Sequence, residues 1–167
     1  APWEKTRPCV SVKPGETLTL VDTDGPGRIQ SIWMGGDISN NFILRIYWEG
    51  NEQPSVECPL PAFFGYGFPE NVQDQDGNFP TLNSAMILAA PCRGMNCYWP
   101  MPFRRRSRIT LTNRAPREER WTYYCITGIY EQAPEDAMYF HACYRQSRPT
   151  PPDGVYTILD GVSGQGH

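Results

Sequence analysis

Lysine is almost missing from this 167-residue chain, occurring only at Lys5 and Lys13, and histidine occurs only at His141 and His167. With 15 Lys plus Arg against 18 Asp plus Glu, the formal charge is −3, which excludes a nucleic-acid partner held mainly by phosphate contacts. Two histidines, one of them inside a strand-like stretch, are too few for a His-rich metal centre. The chain has no glycine-rich phosphate loop, no Gly-x-Ser-x-Gly elbow and no Asn-x-Ser/Thr sequon. Nucleotide binding, serine-hydrolase chemistry and N-glycosylation are therefore not expected. No apolar run approaches the roughly 18 to 20 residues of a membrane helix. We expect no metal, no cofactor and no membrane insertion.

What the chain does have is turn chemistry. It carries 17 Pro and 15 Gly, and aromatics make up 13% of residues, a composition that favours short strands over helices. Apolar and β-branched stretches bounded by turn residues predict strands at Val10–Val12, Thr17–Val21, Arg28–Met34, Asn41–Glu49 and Ser55–Cys58. Further strands are predicted at Ala85–Ala90, at Tyr98–Phe103 leading into Ser107–Asn113, and at Trp121–Tyr130. Tyr139–Arg145 should fold back on Trp121–Tyr130 as a hairpin, and Val155–Leu159 should be the last strand. Pro59–Pro69 is too rich in Pro and Gly to be a helix. Trp33, Phe42, Ile46 and Trp48 read as core. The expected fold is all-β: a single jelly roll, or two-sheet antiparallel β-sandwich, with long loops and little helix. It would occupy 1–167 as one domain, with a Pro-rich connector at 150–154 before the last strand.

Six cysteines form an even set, and Ala1-Pro2-Trp3 reads as a mature end left by signal cleavage. Both point to a secreted, extracellular or cell-surface protein. Cys125 with Cys143 across the hairpin, Cys92 with Cys97 around a short loop, and then Cys9 with Cys58 is one of the many pairings that six cysteines allow. Six buried thiols in a cytosolic core is the other reading.

Candidate contact residues come from loop aromatics and from the one basic run. Phe64, Tyr66, Tyr98, Trp99 and Phe103 flank strands, where open rings can stack on sugars or anchor a protein interface, and buried ones simply pack. Arg104 and Arg106 belong to Arg104-Arg105-Arg106-Ser107-Arg108, whose side chains would alternate between faces in a strand. Sugar hydrolysis needs two carboxylates at a defined separation. Glu49, Glu57, Glu70, Asp37 and Asp160 lie near aromatic segments, yet none stands out, and we assign no catalytic residue.

Several strings together resemble one family. They are Gly25-Pro26-Gly27 with Ile32-Trp33-Met34, Leu44-Arg45-Ile46-Tyr47-Trp48-Glu49-Gly50, Pro54-Ser55-Val56-Glu57 and Phe63-Phe64-Gly65. Asn96-Cys97-Tyr98-Trp99-Pro100-Met101-Pro102-Phe103-Arg104, Phe140-His141-Ala142, Tyr144-Arg145, Tyr156-Thr157-Ile158-Leu159-Asp160 and Gly164-Gln165-Gly166-His167 extend the likeness. The chain resembles the domain-of-unknown-function 2961 family, also called glycoside hydrolase family 172. That resemblance implies a jelly roll from proteins built of two tandem rolls, assembled as trimers or hexamers, that cleave fructofuranosides or arabinofuranosides near subunit boundaries. The family's acidic Gly-Glu-Gly-Asp and Gly-Thr-Glu-Asp-Tyr-Phe segments belong to the second roll and are absent here.

The expectation is thus a secreted, non-catalytic jelly roll that associates with itself, as a trimer, hexamer or helical polymer, into rings, tubes or fibres. The alternatives are a family-172 furanosidase of which this chain is the first half or one subunit, and a carbohydrate-binding module.

Overall fold

A computed structural model describes residues 7–90 and 93–166. Its strands are β1 (Val10–Val12), β2 (Thr17–Asp24), β3 (Gly27–Gly36), β4 (Phe42–Trp48), β5 (Val56–Pro59) and β6 (Leu82–Asn83). They continue as β7 (Ile87–Ala90), β8 (Gly94–Cys97), β9 (Met101–Phe103), β10 (Arg106–Asn113), β11 (Glu119–Ile129) and β12 (Ala142–Cys143). Two sheets form, one in the order β1-β11-β3-β8-β7-β6 with β9 also on β3, the other in the order β12-β5-β4-β10-β2.

The pairing is nested. β1 pairs with β11, β2 with β10, β3 with β8 and β4 with β5, all antiparallel. Early strands thus meet late ones and middle strands meet each other, as when one long hairpin is wrapped around a core; this is the jelly roll expected from the sequence. Period-two alternation explains which side chains fill it. On β4, Phe42, Leu44, Ile46 and Trp48 are buried, while Arg45 and Tyr47 face outward. Ile29, Ile32 and Met34 from β3, Ile109 and Leu111 from β10, and Met95 and Cys97 from β8 complete the interior. Asn113 is buried with its amide fully used: Nδ2 donates to the carbonyls of Val12 (2.8 Å) and Arg117 (2.9 Å), and Oδ1 accepts from Ala115 N–H (2.8 Å). A polar group inside the sandwich is thereby satisfied.

Four sequence expectations need correction. Leu60–Phe63 is a short helix, α1, despite Pro61, because a proline in the first turn removes an N–H that has no partner there anyway. Tyr139–Arg145 does not pair with Trp121–Tyr130. Its two-residue strand β12 lies parallel to β5 in the other sheet, where Trp48 Nε1 donates to the Phe140 carbonyl at 2.8 Å. Val155–Leu159 forms no strand and is largely exposed.

The fourth concerns the cysteines: Cys9, Cys58, Cys97, Cys125 and Cys143 are free thiols. Cys125 is on β11 and Cys143 on β12, in different sheets, both exposed, so the core separates them. Cys9 lies by the Arg120 carbonyl (3.2 Å) next to β11, whereas Cys58 is on β5 of the opposite sheet. Gly94–Cys97 is strand β8 rather than a loop, with Cys97 in the core; the expected partner Cys92 lies outside the described residues.

Candidate functional site

Of the five aromatic candidates, three do not reach the surface. Phe64, Tyr66 and Phe103 are buried. Phe103 stacks on Trp48 at 6.2 Å between centroids and 12° between planes, and the Tyr66 hydroxyl donates to the Pro80 carbonyl. These are packing residues. Tyr98 and Trp99 are open at 44% and 42%. Trp99 sits 5.9 Å from Phe140, which itself meets Phe63 edge-on at 6.3 Å. The structure therefore brings Trp99 to the lip of a ring cluster and leaves part of its indole in solvent.

The arginines are occupied within the fold. Arg104 Nη2 donates to the carbonyls of Pro134 (3.1 Å), Glu135 (3.1 Å) and Ala137 (3.0 Å), and its guanidinium lies 5.2 Å from the Tyr139 ring centroid. Arg106 makes a two-pronged pair with Asp22, both contacts at 2.8 Å. That hydrogen bond outweighs desolvation and holds the Asp22 carboxyl below its ordinary range.

Glu49 organises the turn that carries Arg104 and Arg105. Its carboxylate accepts from Arg104 N–H (2.6 Å), Arg105 N–H (2.8 Å) and Arg105 Nε (3.1 Å). Burial opposes its charge, yet these donors and the Tyr139 hydroxyl prevail, and the carboxyl is held below the usual glutamate range. Glu49 and Gly50 have φ of 62° and 80°, and Asn51 N–H closes on the Trp48 carbonyl at 3.0 Å. Two consecutive positive φ values are the signature of the tight turns that match hairpin twist.

A cleft of about 400 Å³ opens beside β5 and is lined by Asn40, Asn41, Glu57, Cys58, Arg114, Tyr144 and Gln146. Such a lining offers hydrogen bonds rather than acid–base chemistry. Glu57 is paired with Arg45 at 2.8 Å, and burial, followed by the neighbouring Cys143 and Glu57, pushes the Cys58 thiol up to about 12. A thiol so seldom ionised is a poor nucleophile. The other acidic candidates are engaged as well: Glu70 with Arg148 (2.8 Å), and Asp37 with Trp121 N–H (3.1 Å). Asp160 sits in the uncovered segment after Pro152.

Sequence reasoning missed Trp33. It reads as core, but it is 36% exposed on the outer face of its sheet, and Trp121 on the adjoining strand is 61% exposed. The signal was in the strand period: Ile32 and Met34 point inward, so the residue between them must point out.

A family model described as GH172 domain-like matches residues 4–123. No curated protein matches the chain.

Proposed function

Since the chain belongs to the GH172 domain-like family, we propose that it is a non-catalytic, carbohydrate-related jelly roll that associates with further copies of itself. The observation that carries this reading is the segment 155–162. Val155, Ile158, Leu159 and Val162 are between 62% and 80% exposed, and Tyr156 is 39% exposed. A soluble surface seldom leaves so many neighbouring apolar side chains in water without a partner. The run Val-Tyr-Thr-Ile-Leu is rich in strand-forming residues, and β2, at the end of its sheet, has one side of its backbone unpaired among the described residues. An extended segment added to such an edge in another copy supplies main-chain hydrogen bonds and covers its apolar side chains. The contact is head-to-tail, so repetition closes a ring where the rotation allows and extends a fibre where it does not.

Hydrolysis is left out of this reading because Glu49, Glu57 and Glu70 are each held by an arginine. Light scattering at micromolar concentration is expected to give multiples of the 19.0 kDa chain mass. Ile158→Asp together with Leu159→Asp should return the protein to monomer. A monomeric wild-type protein overturns the proposal.

A further inference from the structure

We infer that the outer face of the β1-β11-β3-β8-β7-β6 sheet carries a glycan-binding platform centred on Trp33. The indole lies along the sheet rather than standing off it. A Cβ built on Gly35 would sit 3.0 Å from its Cζ2 and 3.2 Å from its Cη2, and one on Gly94 would sit 3.8 Å from Nε1. Gly35 follows Trp33 by two residues on the same face of β3, and Gly94 is on the adjoining strand β8. The ring is therefore bedded on backbone at two glycines, one face against the sheet and the other to solvent, which accounts for its 36% exposure. Any side chain at Gly35 would crowd the ring and tilt it out of this plane.

The surroundings suit a sugar better than a protein core. Across the strands Trp33 is opposite Asn96, whose Nδ2 donates to the Leu88 carbonyl at 3.1 Å, leaving its Oδ1 to accept. Two residues before Trp33 on the same face, Ser31 and Thr127 share a hydroxyl–hydroxyl contact of 2.8 Å. On the other side Trp33 is opposite the exposed Cys125, Tyr123 is opposite Gly35, and Trp121 follows along the same face of β11. A flat ring with the Asn96 amide on one side and the Ser31 and Thr127 hydroxyls two residues along matches a sugar, which offers an apolar C–H face and a rim of hydroxyls. A subunit contact would instead be expected to have a broad apolar centre. Residues 33, 35, 94, 96, 121 and 123 all fall within the part matched to a glycoside-hydrolase-related domain.

The test is affinity electrophoresis of the full chain through gels containing levan, arabinan, xyloglucan or galactomannan, with Trp33→Ala and Trp33→Tyr alongside. At least one polysaccharide should retard the wild-type protein. Trp33→Ala should weaken that binding about tenfold or more, and Trp33→Tyr, which keeps a flat ring, should recover part of it. The proposal is overturned if no polysaccharide retards the protein, or if Trp33→Ala is retarded like the wild type. It is equally overturned if Trp99→Ala rather than Trp33→Ala abolishes binding, or if Trp33→Ala lowers the assembled mass, which would make this face a contact between copies. Self-association is read by mass and sugar binding by mobility, so either can fail without the other.

Discussion

Glu49 shows how one side chain can hold several backbone segments in register. It occupies a left-handed position that a glycine or asparagine would fill more comfortably, with φ of 62°. In return its carboxylate anchors the Arg104–Arg105 turn. Replacing it with Gln keeps the size but removes the charge, and should cost on the order of 1–3 kcal/mol in urea unfolding. The folded-state carboxyl is held below its usual range, so the folded protein favours the charged form more than the unfolded chain does. The stabilisation is complete above the unfolded-state pKa and is lost as pH falls through the lower folded-state pKa. The gap between wild type and Glu49→Gln should therefore shrink on acidification below the ordinary carboxylate range; a gap independent of pH would assign Glu49 a purely steric role. Thiol chemistry gives a second check. Burial pushes Cys58 up to about 12 and Cys97 up to about 11, whereas Cys125 and Cys143 are exposed. Mass spectrometry after brief iodoacetamide treatment of the native protein should find Cys125 and Cys143 alkylated and Cys58 and Cys97 protected.

Among elements, β3 is the strand on which most depends. It pairs with β11 along much of its length and with β8 and β9 on its other side, and it presents Ile29, Ile32 and Met34 to the core and Trp33 to solvent. It ends at Gly36, with φ of +87°, where a Cβ would fall inside the Trp121 carbonyl oxygen. Gly36→Ala combines that collision with left-handed strain, and should cost on the order of 3 kcal/mol, visible as an earlier thermal midpoint. A midpoint equal to the wild type would show that the end of β3 relaxes freely. The sequence revealed β3 and β4 because their alternation is strong and their turns are marked by Gly and Pro. It did not reveal β12 or the helix α1. Two residues carry no period, and Pro61 reads as a breaker until its place in the first turn is known.

At the scale of the molecule, the nested pairing sets what lies together. Strands distant in sequence, such as β1 with β11 and β2 with β10, must meet before the core can close. Most of the stabilising contacts are therefore long-range, and such topologies fold slowly. The same wrapping separates two surfaces of different character. One sheet turns outward the Arg45–Glu57 and Arg106–Asp22 pairs, with Arg108 lying 3.9 Å over Tyr47. The other turns outward Trp33, Tyr123 and Trp121. The apolar segment 155–162 lies outside both sheets, so Ile158→Asp with Leu159→Asp should leave the thermal midpoint nearly unchanged from that of the wild-type protein diluted until it is monomeric. A large fall in midpoint would mean that the segment packs on its own roll.

The sequence by itself determined the all-β class, most of the long strands and the inward face of β4, because alternation and turn residues are local signals written in consecutive positions. Its family likeness was legible for the same reason, as short strings. Tertiary structure decided everything that depends on a partner strand. It placed Cys125 and Cys143 on different sheets, buried Phe64, Tyr66 and Phe103, and engaged Arg104 and Arg106 within the fold. It also laid Trp33 on a floor made by Gly35 and by Gly94, which is 61 residues further along the chain. Which side chains face one another across a sandwich follows from register and wrapping, and these are settled only when the whole core is packed.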